Sequence, residues 1–217
     1  MKKIIAIIPV RKGSVRVRNK NIKPFAGSNL LRIKIRKLKE VQGISDIVVS
    51  SDCPEMLSLA EEEGVLTHRR EDHYASSEVD NSEFFANLAE SIGAEHVMYS
   101  PVTCPLISSH TYQECIEEYQ KSGVNNLVTV SEVKHHMWLD GRPLNYDIRS
   151  SPNSQDLPDV YKLTYGVCLI SREDMISYRN VVTDSPTFKV LDEIESIDID
   201  TEFDFMVAET IYKNVYL

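Results

Sequence analysis

Short apolar runs alternate with amphipathic stretches along most of the chain. Apolar runs bounded by turn residues predict strands at Ile4–Val10, Asp46–Ser51, His96–Pro101, Asn126–Val130 and Leu163–Ile170. Helical spacing predicts helices at Leu30–Val41, Pro54–Glu63, Asn81–Ile92, His110–Lys121 and Glu202–Asn214. Because helix-length segments separate strands of the buried type, the pattern predicts an α/β fold with right-handed crossovers and a mainly parallel sheet.

The stretch 131–162 interrupts this alternation. It is polar, contains three prolines and holds the single Trp of the sequence. A structureless loop of that length is unusual inside a compact domain. We therefore expect one domain over residues 1–217, in which 131–162 forms an excursion of short strands that acts as a lid or an oligomerisation arm.

Charge is distributed unevenly in this 217-residue chain of net charge −9. Residues 1–39 hold 13 of the 24 Lys and Arg and no Asp or Glu, so they carry +13, and the rest carries −22. Such asymmetry suggests an anionic partner at one end of the molecule, either a nucleic acid or a polyphosphate. The alternative is a solvated basic face, which is the usual explanation of a charge run.

The densest positive charge, "RKGSVRVRNKN", directly follows the first predicted strand. In an open parallel sheet, ligands bind at the carboxyl ends of strands. Gly13 and Ser14 let backbone N–H groups approach a ligand closely, while Arg11 and Lys20 suit phosphate oxygens. The loop matches neither GxxxxGK[ST] nor GxGxxG. Its charge and position nevertheless favour phosphate binding over a solvated loop.

Two acidic residues, Asp198 and Asp200, stand in "ESIDIDTEFDF" near the end of the sequence. We expect them on a strand, with both carboxylates on one face. Such carboxylates repel each other unless a cation or a base lies between them, and Mg²⁺ prefers a few carboxylates with waters and phosphates. An acidic end that merely caps the next helix is the alternative, but Thr201 and Asp204 would suffice for capping. With the basic loop, the pair predicts metal-assisted phosphoryl or nucleotidyl transfer.

Two further segments are weaker indications of a ligand site. "YSPVTCPLISSHT" leads from a predicted strand into a helix, and ordinary turn chemistry explains it equally well. In "RREDHYASSEVDNS", either Arg69 or Arg70 is available to contact a base or a sugar together with Ser76 and Ser77. A surface loop before a helix is the more common explanation of such a stretch.

Several classes of protein find no support in the sequence. No apolar run approaches the ~20 residues that cross a bilayer, so a cytoplasmic protein is expected. The cysteines are spaced for neither zinc nor a disulfide framework, and we expect reduced, mostly buried thiols. His135 and His136 have no third ligand at suitable spacing, and a GxSxG nucleophile elbow is absent.

The motifs, in this order, resemble those of the acylneuraminate cytidylyltransferases, also called CMP-sialic acid synthetases. "IIPVRKGSVRVRNKNI" resembles I-x-A-R-x-x-S-K-x-x-x-x-K-N, and "SIDIDTEFDF" resembles S-I-D-I-D-T-x-x-D-L. Between them, "VVSSD", "RREDHYASS", "TCPLI" and "SQDLP" resemble V-S-T-D, R-P-x-x-L-A-S-D, T-S-P-L-R and R-Q-x-L-P. The match covers nearly the whole chain, and its first and last motifs are the most specific.

The resemblance implies a nucleotide-diphospho-sugar-transferase-like sheet and a reaction. The family joins CTP to the C2 hydroxyl of a nine-carbon 2-keto sugar acid and releases pyrophosphate, and its members are typically dimers whose excursion crosses between subunits. By motif position, CTP would be bound by Arg11, Gly13, Ser14, Lys20, Asn21, Arg70, Ala75 and Ser76. Asp198 and Asp200 would hold Mg²⁺ or another divalent cation. Arg11, Lys20 and Asp200 would carry the catalytic roles.

The chain departs from the family pattern chiefly at cationic positions. Val15 stands where the family has Lys, so that Arg16 or Arg18 would have to supply the charge. Ile107 and Ser154 stand where the family has Arg, and Pro101 replaces a Gln. The nucleotide end is thus better kept than the sugar end, and the resemblance implies a related acceptor without naming it.

Other functions remain open at this point. Another acceptor is possible: an eight-carbon keto-deoxy sugar, a pseudaminic- or legionaminic-type sugar, or an alditol phosphate. "NKN" fits the nine-carbon branch better. A non-catalytic nucleotide- or RNA-binding protein is a rival, but residues 1–39 offer Phe25 as their one aromatic, whereas nucleic-acid binders interleave aromatics with cations. A degenerate, inactive homologue is the last alternative. We expect neither a nucleic-acid nor a membrane partner.

Overall fold

A computed structural model describes residues 2–14 and 16–217. The strands are β1 (Ile4–Pro9), β2 (Pro24–Phe25), β3 (Ser28–Asn29), β4 (Ile44–Ser51), β5 (Leu66–Arg69), β6 (His96–Tyr99), β7 (Asn126–Val133), β8 (Trp138–Leu139), β9 (Arg142–Pro143), β10 (Val160–Ser171) and β11 (Thr187–Leu191). The helices are α1 (Leu30–Lys39), α2 (Pro54–Glu62), α3 (Asp72–Ala75), α4 (Asn81–Ser91), α5 (Ser109–Gln120), α6 (Arg172–Tyr178) and α7 (Glu202–Val215).

Seven strands form one sheet in the order β11-β7-β10-β6-β1-β4-β5. β1 runs parallel to β4 and β6, β4 runs parallel to β5, and β7 runs parallel to β11. β10 is antiparallel to both of its neighbours, β6 and β7. The predicted mainly parallel α/β sheet is therefore confirmed. Because β10 is reversed, its N-terminal half lies at the edge where the parallel strands have their carboxyl ends.

Both faces of the sheet are covered, as the continuous apolar runs predict. Ile4, Ala6 and Ile8 of β1 pack into a core with α1, α5 and α7, whereas Ile5 and Ile7 pack into a second core with α4 and α6. Alternate residues of a strand point to opposite faces, so a central strand with two buried faces must be apolar throughout. The result is a three-layer molecule.

Every predicted strand and helix of the opening pattern is present, with ends shifted by a few residues. The segment around Asp198 and Asp200 was expected to be a strand, and this expectation is wrong: residues 197–200 belong to no strand and no sheet. The pattern missed β5 and β11, which are the two edge strands and expose alternate or most side chains. An edge strand with polar positions lacks the apolar run that marks a central one.

Helix starts follow the sequence signals closely. The N-caps are Asn29 for α1, Asp80 for α4 and Thr201 for α7, each accepting a backbone hydrogen bond on its side chain. Thr201 and Asp204 form a capping box, in which each side chain accepts from the backbone of the other.

The excursion over 131–162 contains short strands, as predicted. β8 and β9 pair across Asp140 and Gly141, both in the left-handed region, which is the Asp-Gly hairpin turn. Trp138, Leu139 and Ile148 expose more than half of their surface. Its use as a dimerisation arm stays a prediction.

The four cysteines, Cys53, Cys104, Cys115 and Cys168, are buried, as expected for structural thiols. In the described ranges 2–14 and 16–217, no helix has the length and apolarity needed to span a bilayer.

Candidate active site

A cavity of about 630 Å³ opens at the carboxyl edge of the sheet, within the size range of ligand pockets. Its walls are the basic loop after β1, the segment from Arg70 to Phe85, the N-terminal half of β10 and the segment 198–200. Eight of the ten predicted ligand residues line it: Arg11, Ser14, Lys20, Asn21, Arg70, Ser76, Asp198 and Asp200. Gly13 and Ala75 lie outside the lining.

The basic loop is shaped by its own backbone and by contacts to α3. Gly13 has φ +89°, a conformation that glycine adopts without the steric cost of a Cβ. Arg11 donates a hydrogen bond to the carbonyl of Ala75 at 2.9 Å and another to Ser77 Oγ at 3.4 Å. Ala75 therefore acts on the cavity through Arg11, by fixing the direction of the guanidinium.

Asn21 holds the basic loop in place through a side-chain hydrogen bond. It is 5 % exposed, and its side-chain amide donates to the carbonyl of Arg11 at 3.0 Å. Its own carbonyl accepts from the backbone N–H of Leu31 at the start of α1 at 3.0 Å. The side chain thus fixes the loop, and nucleotide contact by Asn21 remains a prediction.

The basic loop and the C-terminal segment are tied together, although 179 positions separate Lys20 from Ile199. Lys20 Nζ donates to the carbonyl of Ile199, which places the ammonium beside the acidic pair. Phe25 packs edge-on against Phe205 and Tyr212 of α7 at 5.3 and 5.5 Å between ring centroids. The two halves of the site therefore come from opposite ends of the chain.

The acidic pair lines the cavity from the irregular segment that precedes α7. Ile199 between the two acids is fully buried and donates its backbone N–H to the carbonyl of Thr103 at 2.9 Å. Since the inward side chain of Ile199 fixes the alternation, Asp198 and Asp200 both point into the cavity. The predicted shared face is thus confirmed, although no strand carries it.

Asp200 forms an ion pair with Arg16, whose Nη2 lies 2.7 Å from Oδ1. The two side chains are 67 % and 46 % exposed, so the pair contributes at most about 1 kcal/mol and is easily exchanged. Arg16 lines the cavity, whereas Arg18 is exposed outside the lining, and Val15 falls outside the described residues. Between the two candidates for the missing family cation, Arg16 is the one at the site.

Burial and neighbouring charges act in opposite directions on the pKa of Lys20. Partial burial lowers its pKa, the negative charges of Asp198 and Asp200 act to raise it, and Arg16 adds to the lowering. The single ammonium of Lys20 therefore neutralises only part of the charge of the two carboxylates. The other cations of the lining, Arg11, Arg16, Arg70 and Lys162, are the groups available to an anionic ligand.

Arg70 forms another part of the cavity wall. It is 2 % exposed, donates to the carbonyl of Val10, and lies with its guanidinium carbon 5.2 Å from the centroid of the Phe84 ring. Burial lowers its pKa. Within the described part of the chain its Nε has no hydrogen-bond partner, which is unusual for a buried donor. Arg69 instead pairs with Asp72 outside the lining, so Arg70 is the arginine that the cavity uses.

Much of the positive charge near the N-terminus has structural partners. Arg32 and Arg36 of α1 both pair with Glu63, at 2.6 and 2.7 Å. Lys23 pairs with Glu202 at 2.6 Å. The charge asymmetry of the sequence therefore overestimates the positive charge that an anionic partner would meet, because only part of that charge faces the cavity.

Two lysines that the sequence left among the cations are buried supports of the site. Lys34 is 1 % exposed and donates to Ser100 Oγ at 3.3 Å, to the carbonyl of Cys104 at 3.2 Å and to the Tyr112 hydroxyl. It holds the loop between β6 and α5, which contains the cavity-lining Thr103. On the next turn of α1, another lysine supports the same loop: Lys37 donates to the carbonyls of Pro105 and Ile107 at 2.8 and 2.6 Å. No pattern in the sequence distinguishes these lysines from solvated ones.

Burial of Lys34 predicts a stability that rises with pH. Desolvation lowers its pKa to about 7, whereas the unfolded side chain keeps its proton to near 10.5. The cost of the buried charge is thus full below pH 7 and falls as the folded protein releases the proton. We expect the free energy of unfolding in urea to gain about 1–2 kcal/mol from this group between pH 7.0 and 8.5.

Lys34→Met isolates this contribution. Ser100 Oγ and Tyr112 OH remain hydrogen-bonded to each other at 2.9 Å, so the variant keeps partners for both hydroxyls. Its gain between pH 7.0 and 8.5 is expected to be smaller than that of the wild type by this amount, while Lys3→Met, at an exposed position, keeps the wild-type slope. Equal slopes in all three proteins would contradict the assignment.

Sequence reasoning also missed the aromatic wall. Phe84, Phe85, Tyr99 and Tyr165 line the side of the cavity next to α4, and Phe85 meets Tyr99 edge-on at 5.3 Å. The tyrosines belong to β6 and β10, whose apolar pattern identified them only as strand residues. Lys162 of β10 adds a further cation to the lining.

The structure shows where three of the four departures from the family pattern lie, namely Ile107, Ser154 and Pro101. Ile107 is fully buried, and a Cβ built on Gly166 would lie 2.4 Å from its Cδ1, so this position serves packing. Ser154 is exposed in a 3₁₀ turn (Ser154–Asp156), outside the cavity lining. Pro101 lines the cavity.

Comparison with known proteins places the chain among nucleotidyl-transferring enzymes. A family model described as cytidylyltransferase matches residues 5–144. The N-acylneuraminate cytidylyltransferase of Oncorhynchus mykiss is 27% identical over 95% of this chain, which spans about half (49%) of that protein. The CMP-N,N'-diacetyllegionaminic acid synthase of Legionella pneumophila is 24% identical over 96% of both chains.

A solved structure of similar fold is that of CMP:2-keto-3-deoxy-manno-octonic acid synthetase complexed with CTP. It superposes with a TM-score of 0.73 at 12% identity, covering 98% of this chain and 99% of the other. At that identity the likeness establishes the three-layer fold.

Proposed function

Since this chain belongs to the cytidylyltransferase family, we propose that it transfers CMP from CTP to the C2 hydroxyl of a nonulosonic, sialic-acid-like 2-keto sugar acid. The products are the CMP-sugar and pyrophosphate. The observation that carries the proposal is one cavity in which cations of the β1 loop face the pair Asp198 and Asp200. Relatives named for sialic and legionaminic acids support the acceptor class.

The nucleotide is proposed to bind across the β1 and β5 side of the cavity. Arg11, with its guanidinium oriented by Ala75, and Ser14 would bind the triphosphate. Arg70 and Ser76, which line the cavity, would meet the cytidine. This arrangement leaves the β10 side, with Lys162, for the carboxylated acceptor.

The acidic pair fits a divalent cation of the Mg²⁺ type. Within the described residues, His, Cys, Asp and Glu form no cluster of three or more, so the protein would supply only two carboxylates. Mg²⁺ commonly takes one or two carboxylates and completes its shell with water and substrate phosphates. Asp200 would exchange the exposed Arg16 for the cation.

The residues of this chain would then divide the work of an in-line displacement. A cation held by Asp198 and Asp200 would neutralise and orient the phosphates. Asp200 lies at the cavity and would accept the proton of the C2 hydroxyl while the oxygen of that hydroxyl attacks the α-phosphorus. The bond from the α-phosphorus to the bridging oxygen breaks, and Arg11 and Lys20 stabilise the charge on the leaving pyrophosphate.

A pyrophosphate-release assay tests this function. CTP, UTP, ATP and GTP would each be combined with Mg²⁺ and with a panel of nine-carbon keto acids, eight-carbon keto-deoxy acids and alditol phosphates. We expect release with CTP and a nine-carbon acid. An eight-carbon preference would move the protein to the second candidate, a cytidylyltransferase for an eight-carbon keto-deoxy sugar. No release with any CTP pair would contradict the proposal.

We further propose that the protein is a homodimer in the cytoplasm. Trp138, Leu139 and Ile148 of the excursion are each more than half exposed, which is typical of a surface that a partner covers. Free buried cysteines suit a reducing compartment.

Sedimentation is expected to give twice the chain mass of 24.7 kDa. Trp138→Asp is expected to shift the species towards monomer, because it buries a charge in the proposed contact. A matched Leu66→Asp, on the edge strand β5 of the main sheet and equally exposed, should leave the mass unchanged. A wild-type monomer would contradict the proposal.

A further inference from the structure

Tyr165 adopts a backbone conformation that a tyrosine rarely takes. Its φ is +56°, in the left-handed region where a Cβ clashes with the following carbonyl. For a bulky residue this is a genuine outlier, and such strain concentrates at functional sites. The position is half-buried and lines the cavity.

The strain is produced by a bulge in β10. From Leu163 to Cys168 the strand advances five residues while its partner β7 advances two, from Val130 to Val128. A bulge next to a site typically redirects a side chain. Here it turns Tyr165 toward the cavity.

The surroundings hold the bulge firmly. Thr164 is buried and donates through Oγ1 to the carbonyl of Thr129 at 2.9 Å, while Thr129 Oγ1 accepts from the backbone N–H of Val167 at 2.9 Å. Gly166 lies so close to Ile107 that a Cβ would clash with it. Residues on both sides of Tyr165 are thus fixed, so the strained conformation is the one the fold retains.

In the sheet order, Tyr165 lies on the other side of β1 from Arg70. In the sheet order, β5 and β4 lie on one side of β1, and β6 and β10 lie on the other. Arg70 follows β5, Arg11 follows β1, and Tyr165 lies two strands beyond β1, about 10 Å farther at the usual strand spacing. A nucleotide that reaches from Arg70 to the acidic pair leaves this end to the second substrate.

We infer that Tyr165 is a specificity-determining residue, whose ring packs against the sugar-acid acceptor and sets which acceptors fit. The inference rests on the proposed function. An aromatic ring packs well against the C–H face of a sugar, and one on a fixed bulge does so with little loss of side-chain freedom. The strained backbone keeps the ring at this place.

Three substitutions separate the ring from the backbone. Tyr165→Ala removes the ring and keeps the strain, Tyr165→Gly removes both, and Tyr165→Phe keeps both. Steady-state pyrophosphate release would be measured with the best acceptor of the panel. We expect the acceptor KM to rise about tenfold in the Ala and Gly variants and to change less than about twofold in the Phe variant, with the CTP KM within about twofold throughout.

Thermal unfolding provides a reading that is independent of activity. Glycine normally destabilises a strand relative to alanine. At a left-handed position the order reverses, so Tyr165→Gly is expected to melt about 2–4 °C above Tyr165→Ala. The reverse order would overturn the strained conformation.

The kinetic outcomes are also decisive. An active wild type with an unchanged acceptor KM in both truncated variants would overturn this inference alone. A tenfold rise of the CTP KM would overturn it as well, by assigning the ring to the nucleotide. Absence of release by the wild type would overturn the proposed function and this inference with it.

Discussion

Replacement of both Asp198 and Asp200 by Asn is expected to reduce pyrophosphate release from CTP by at least about 10³-fold while the fold remains intact. Both carboxylates face the cavity, on either side of the buried Ile199, and neutral amides no longer hold a divalent cation. The Asn side chains nearly match the Asp side chains in shape, so the packing of Ile199 is undisturbed.

Stability measurements distinguish loss of chemistry from loss of fold. The ion pair of Asp200 with Arg16 is exposed, so its loss is expected to cost at most about 1 kcal/mol, or about 2–4 °C of melting temperature. Glu61→Gln with Glu193→Gln removes two exposed carboxylates elsewhere and is the matched control. Release by the Asp variant within tenfold of this control would rule out the metal and base assignments.

Lys20→Met is expected to lower kcat/KM for CTP by about 10²–10³-fold. The ammonium donates to the carbonyl of Ile199 between the two acids, where it is placed to stabilise the charge on the departing pyrophosphate. Because burial lowers the pKa of Lys20, the folded protein gives up charge solvation to keep this group in place, and Met should be tolerated structurally.

Arg18→Met is the control for loop charge. Arg18 belongs to the same basic loop but is exposed outside the cavity lining. Its replacement is expected to change kcat/KM by less than about threefold at physiological salt, where charges beyond about 8 Å are screened. Equal losses in the two variants would show that the loop acts by its total charge, as in the solvated-face alternative.

The sequence predicted the central elements because their periodicity is strong. β1 is apolar at every buried position. α1 and α7 each begin after a polar residue, Asn29 and Thr201, whose side chain caps the helix. β5 and β11 were missed because edge strands need no continuous apolar run. The sequence placed the acidic pair on a strand because alternate residues of a strand share a face. The two side chains do share the cavity, but the burial of Ile199 between them, and not a sheet, produces this arrangement.

The site was only partly predictable because its contacts join distant parts of the chain. Arg11, Lys20 and the acids were found from charge and motif, but the pairing of Arg16 with Asp200 depends on how the two chain ends meet. In the sequence Lys34 looks like any solvated lysine, and only the structure shows that it is buried. Tyr165 reads as an ordinary strand residue until a bulge changes its backbone.

The most direct test of the proposed reaction follows the α-phosphorus of CTP. The purified protein would be incubated with CTP, Mg²⁺ and the best nine-carbon keto acid, and the products resolved by ³¹P NMR and mass spectrometry. We predict one phosphodiester that joins CMP to the sugar acid for each pyrophosphate released. CTP that stays intact with every acceptor, or CTP that yields CMP without a sugar linkage, would contradict the account.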